Sequence, residues 1–185
     1  MVLPRRTPVG YFSVVQVARD IRNLALVGFM GTGKSSVGRA LAMHFGFEFL
    51  DTDELIVARA GKPITDIFEQ DGEAAFRELE RQVVGELAQR SGCVISTGGG
   101  LGASPGHLGA LKEHALTVCL WASPETIYER VRHSSHRPLL NHPDPLARIR
   151  ELLGEREAVY KQADLLIGTE LRNVKEVAHQ IIIHF

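Results

Sequence analysis

The chain has 185 residues, of which 44% are apolar and 23% charged, the size and composition of one globular domain and not of a disordered or fibrous chain. Its 21 Lys plus Arg against 22 Asp plus Glu leave a formal net charge of -1, so there is no broad basic field for nucleic acid or an anionic membrane. No run approaches the roughly 18 apolar residues of a membrane span. Cys93 and Cys119 each lie inside an apolar run and read as buried core thiols of a cytoplasmic, reducing compartment.

Residues 1–21 read as a poorly ordered leader. Arg5 and Arg6 precede a semi-apolar stretch interrupted by Tyr11, Ser13 and Gln16, too short and too polar for a secretion signal. The domain proper is expected over residues 22–185, where short apolar runs alternate with helix-period segments as in βαβ units. Residues 24–27 predict a buried strand, a glycine-rich turn follows, and Lys34–Phe45 predicts a helix with Val37, Leu41 and Phe45 on one face. A second strand over 47–50 runs into Asp51-Thr52-Asp53, and a helix over 54–60 stops at Gly61 and Pro63. A short helix is expected over Ile64–Gln70. A long one is expected over 73–90, where Phe76, Leu79, Val83 and Leu87 recur at helical spacing.

Cys93–Ser96 predicts a third strand, ending in Thr97 and three glycines, and residues 116–121 a fourth. Ser123 and Pro124 then suit the cap and first position of a helix. Residues 133–145 carry Pro138, Pro143 and Pro145 and read as a mobile, polar excursion; His133, His136 and His142 within it read as solvated side chains in preference to a zinc site. A helix over 146–163, a strand over 165–167 and a helix over 174–184, opened by the Asn173/Glu176 pair, complete the chain. Five strands alternating with helices imply a three-layer α/β/α domain around a parallel sheet.

Gly28-Phe29-Met30-Gly31-Thr32-Gly33-Lys34-Ser35 satisfies G-x-x-x-x-G-K-[ST] between a strand and a helix, the setting in which backbone amides and a helix N-terminus cradle phosphates. Lys34 would reach the β- and γ-phosphates, and Ser35 would ligate Mg²⁺. Strand 3 ends in glycines where an acid would ordinarily serve the metal, so Asp51 is the best remaining metal candidate. Asp53 suits an acceptor hydroxyl, although its spacing is equally compatible with capping the helix that follows. Gly98-Gly99-Gly100 would let a ligand approach the backbone, with a tight turn as the alternative. Arg77 and Arg156 can recognise a carboxylate bidentately, but each alone would pass for a surface residue.

Taken together, the phosphate loop, Phe49-Leu50-Asp51-Thr52-Asp53, Ile67-Phe68-Glu69 with Gly72-Glu73, and Phe76-Arg77 with Glu80 make a series. Thr97-Gly98-Gly99-Gly100, Arg137-Pro138-Leu139-Leu140, and Glu155-Arg156 with Tyr160 continue it. In this order they resemble the shikimate kinase family over residues 22–185. The resemblance implies a P-loop kinase fold, with a five-stranded parallel sheet in order 2-3-1-4-5 and a mobile lid over about 131–145. It implies ATP-dependent phosphorylation of the shikimate 3-hydroxyl, a step of chorismate and aromatic amino-acid biosynthesis. Gly31, Thr32, Gly33, Lys34, Ser35, Ser36, Arg130, Arg137 and Arg172 would bind ATP, with Ser35 and Asp51 holding Mg²⁺. Asp53, Arg77, Gly98, Gly99, Gly100 and Arg156 would bind shikimate, and Lys34, Asp53 and Arg137 would be catalytic. A monomer is expected, with no nucleic-acid or membrane partner. The nearest alternatives are a gluconate kinase on the same fold and a non-catalytic nucleotide-binding module.

Overall fold

The computed structural model describes residues 19–133 and 142–185. At its centre lies β1 (Asn23–Val27), whose five residues are all buried. Both faces of a parallel strand are covered by helices, so its sequence is apolar from Leu24 to Val27 where a half-exposed strand would alternate. The pleat sorts these residues between layers. Leu24 and Leu26 pack with Val37 and Leu41 of α1 (Lys34–Phe45) and Val177 and Ile181 of α8 (Val174–Ile182). Ala25 packs on the opposite face with Val83 and Leu87 of α4 (Gly72–Leu87).

Around β1 stand β2 (Glu48–Asp51), β3 (Cys93–Ser96), β4 (Ala115–Trp121) and β5 (Leu165–Gly168), all parallel, in the order β2-β3-β1-β4-β5. The expected three layers and strand order are therefore present. α2 (Thr52–Ala60), α3 (Ile64–Gln70), α5 (Pro105–His114), α6 (Pro124–Val131) and α7 (Pro145–Tyr160) supply the remaining helices. Asn173 and Glu176 form the expected capping box, and Ser123 accepts from the Thr126 amide as the cap of α6. Cys93 and Cys119 are free and buried, and burial pushes the Cys119 thiol up to about 12.

Several expectations change. α5 stands where the sequence predicts no element, because Gly106 and Gly109 weaken its intrinsic preference; burial of Leu108 and Leu111 stabilises it instead. α2 begins at Thr52, two residues before the predicted start, and its cap is Asp51, which accepts from the Asp53 amide. Asp53 is therefore not the cap. α4 stops at Leu87, not at residue 90, and α7 at Tyr160, not at residue 163. Arg19 pairs with Asp164 at 2.9 Å, and the Arg22 amide donates to His114 O. Residues 19–22 thus pack on the domain. Among the described residues no helix is long and apolar enough to cross a membrane.

Candidate functional site

The carboxyl ends of β1, β2 and β3 open into one cavity of about 410 Å³. In an open α/β sheet this is where ligands are expected to sit. The phosphate loop forms one wall. Gly28, Gly31 and Gly33 all take positive φ, a backbone path that side chains resist. Gly33 caps α1 without a side-chain partner, so the first amides of the helix remain available for an anion. Lys34 folds back over the loop, its Nζ donating to Gly28 O and Phe29 O, both at 2.9 Å. Thr32 closes the turn by donating to Phe29 O.

Beside the loop, Ser35 Oγ donates to Asp51 Oδ2 at 3.3 Å and lies 3.5 Å from Ser96 Oγ. The other oxygen of Asp51 accepts from the Asp53 amide at 3.0 Å. Hard oxygen donors clustered against a phosphate cradle fit a divalent ion that keeps most of its waters and phosphate ligands. Among the described residues there is no cluster of three His, Cys, Asp or Glu that could hold a metal.

The glycine loop forms the facing wall. Thr52 Oγ1, fully buried at the start of α2, accepts from the Gly98 amide at 2.8 Å. This bond brings Gly98 against the Asp53 carboxylate. Arg77 on α4 flanks Gly100, and its guanidinium is held by Glu80 at 2.8 Å and Glu73 at 2.9 Å. Burial works against the charge of Arg77, but these two carboxylates outweigh it and raise its pKa. From α7, Arg156 donates to Gly99 O at 3.1 Å and lies over the Phe29 ring.

Of the residues singled out in the sequence, Gly31, Gly33, Lys34, Ser35, Ser36, Asp51, Asp53, Gly98, Gly99 and Arg130 line this cavity. Thr32 is buried behind the loop. Gly100, Arg77 and Arg156 sit on the flank of the glycine loop. Arg130 links the phosphate loop to the end of β5, donating to Gly31 O and to Thr169. Arg172 bonds Gly168 O and lines separate depressions beside β5. Arg137 and most of the expected lid lie outside the described residues. Sequence reasoning gave no role to Thr52, Ser96, Thr97 or Glu80. The side chain of Thr52 follows from strand-to-helix geometry, and Glu80 from its three-residue offset to Arg77.

A family model described as Shikimate kinase matches residues 30–185. A shikimate kinase of Thermodesulfovibrio yellowstonii is 41% identical over 162 residues, covering 88% of this chain and 94% of that relative. One from Thiobacillus denitrificans is 46% identical over 153 residues, covering 82% and 84%. Among solved structures, a shikimate kinase from Acinetobacter baumannii in complex with shikimate superposes with a TM-score of 0.82 at 36% identity, covering 89% of this chain and 92% of that one. A gluconokinase from Sinorhizobium meliloti shares the fold at a TM-score of 0.58 and 19% identity. A family model spanning most of the chain, and relatives more than 40% identical along more than four fifths of it, show that the chain belongs to the shikimate kinase family.

Proposed function

We propose that the cavity transfers the γ-phosphoryl group of ATP to the 3-hydroxyl of shikimate, giving 3-phosphoshikimate and ADP, in the route to chorismate and the aromatic amino acids. The observation that supports this reading best is the joining of two unlike walls in one space. The phosphate loop and Lys34 suit a triphosphate, while Asp53, the glycine loop and the flanking Arg77 and Arg156 suit a small hydroxylated carboxylate.

In this reading the acceptor oxygen attacks the γ-phosphorus, the bond to the ADP oxygen breaks, and the hydroxyl proton passes to Asp53. Lys34 and the loop amides would stabilise charge on the transferring oxygens. Arg77 and Arg156 would fix the carboxylate of the acceptor and so aim its hydroxyl. Arg130 and Arg172 would contact the base of ATP, and Arg137 would complete the phosphate shell when the lid over about 131–145 closes and excludes water. The family's use of ATP implies a divalent metal; Mg²⁺, held by Ser35 and Asp51, would neutralise phosphate charge there. The catalytic unit would be residues 22–185, acting as a cytoplasmic monomer.

The test is ADP release from ATP with shikimate, gluconate or a nucleoside monophosphate as acceptor. Turnover with shikimate alone is expected. Turnover with gluconate, or none with any acceptor, overturns the reading.

A further inference from the structure

Gly99 O accepts two hydrogen bonds, from Arg156 Nη1 and from the Tyr160 hydroxyl, each at 3.1 Å. Both donors come from the last turns of α7 and are four residues apart, hence stacked on one helix face. Tyr160 is fully buried among Val27, Phe29, Leu108 and Cys119. Its ring is thus anchored in the core while its oxygen reaches the loop.

We propose that Tyr160 is a positioning residue for the acceptor substrate, its hydroxyl holding the Gly99 carbonyl in the orientation that also seats Arg156. A carbonyl oxygen has two acceptor sites, and with two donors on Gly99 O both are used. The Gly99–Gly100 peptide is thereby held by two donors from α7. Arg156 spends one of its N–H groups on this carbonyl, so the direction of its fork depends on where the carbonyl points. The phenol suits the task because burial pushes it up to about 12, keeping it a donor throughout the working range. Without the hydroxyl, Arg156 and Gly99 would share a single bond. The glycine peptide, which has no side chain to brace it, would then sample other orientations.

This inference rests on shikimate as the acceptor and is tested by Tyr160→Phe, which keeps the buried ring and removes one oxygen. Melting temperature, ATP affinity and the KM values for both substrates are measured. The expected result is a KM for shikimate raised about 5- to 20-fold, a kcat changed less, and a KM for ATP within twofold of the parent. Combining Tyr160→Phe with Arg156→Lys should raise the shikimate KM by less than the product of the single effects, because both act on one carbonyl. KM does not depend on the fraction of enzyme that is folded, so a less stable variant is still informative when assayed at lower temperature. A lowered melting temperature with an unchanged shikimate KM overturns the positioning role and leaves a purely structural one. Absence of shikimate turnover in the parent protein overturns the functional reading itself, and this inference with it.

Discussion

Gly98 and Asp53 touch so closely that a Cβ at Gly98 would fall inside the van der Waals shell of the Asp53 carboxylate. The obstacle is the end of a short side chain and not backbone, so the carboxylate would be displaced and the fold kept. Gly98→Ala is therefore expected to lower kcat at least 10²-fold by moving the group that faces the acceptor hydroxyl. ATP affinity should stay near normal. Gly28→Ala is the contrasting case, because φ is +133° and a Cβ there would meet the backbone carbonyl of Leu120. That variant should lose about 1–3 kcal/mol of stability, read as a lowered urea midpoint. A stable but inactive Gly28→Ala would contradict this division.

Lys34 is 92% buried, given its 8% exposure, and bonds two loop carbonyls. Triphosphate binding would draw its ammonium from those carbonyls toward the β- and γ-oxygens. Lys34→Ala should fold and lower kcat by at least about 10²–10³-fold. Near-normal turnover of that variant would remove the lysine from phosphoryl transfer.

Asp53→Asn keeps the size of the side chain and leaves the Asp51 cap of α2 untouched. Its expected signature is a collapse of kcat with ATP affinity preserved. Arg77→Ala and Arg156→Ala should instead weaken shikimate binding by about 1.5–3 kcal/mol each. For Arg77 there is a second cost, since Glu80 is buried and would lose its partner. Its melting temperature should fall further than that of Arg156→Ala. Calorimetric titration with shikimate, beside thermal melts, separates the two contributions.

Far from the cavity, His114 Nδ1 faces the Asn23 amide nitrogen at 3.0 Å. The orientation of that amide is set by its bonds to Arg90 O and from the Cys93 amide. His114 must therefore be neutral with its proton on Nε2, a buried atom with no partner among the described residues. Burial, aided by the nearby Arg22 charge, lowers its pKa below the ordinary 6.5 despite Glu113. Because the folded state holds its proton less tightly, this contribution to stability is complete above the unfolded pKa. It is lost as pH falls from about 6.5 through the folded value. Melting temperature should decline over that window, and His114→Gln, which keeps an acceptor for Asn23, should flatten the decline. An equal slope in both proteins would refute the assignment.

Much of this molecule was legible in one dimension. The phosphate loop is contiguous, and its glycines and Lys34 act through the backbone of a single strand-turn-helix unit, so local spacing carries the chemistry. The sorting of β1 between layers follows from the pleat, and the caps at Ser123 and Asn173 follow from side chains that bond amides two or three residues ahead. Spacing alone could not decide whether Asp53 caps α2 or faces an acceptor hydroxyl; the structure gives the cap to Asp51. That depended on β2 continuing through Asp51, a matter of its register with β3.

What only the tertiary structure decided is which distant groups meet. Thr52 reaches Gly98, Arg77 reaches Gly100, and Tyr160 and Arg156 converge on Gly99 across 57 or more residues of chain. α5 likewise exists because Leu108 and Leu111 find the core, overriding two glycines that disfavour a helix. Side chains within one turn of each other are related by fixed local geometry. Pairs brought together by the packing of separate helices on a sheet are related only through the whole fold, and no local pattern in the sequence encodes them.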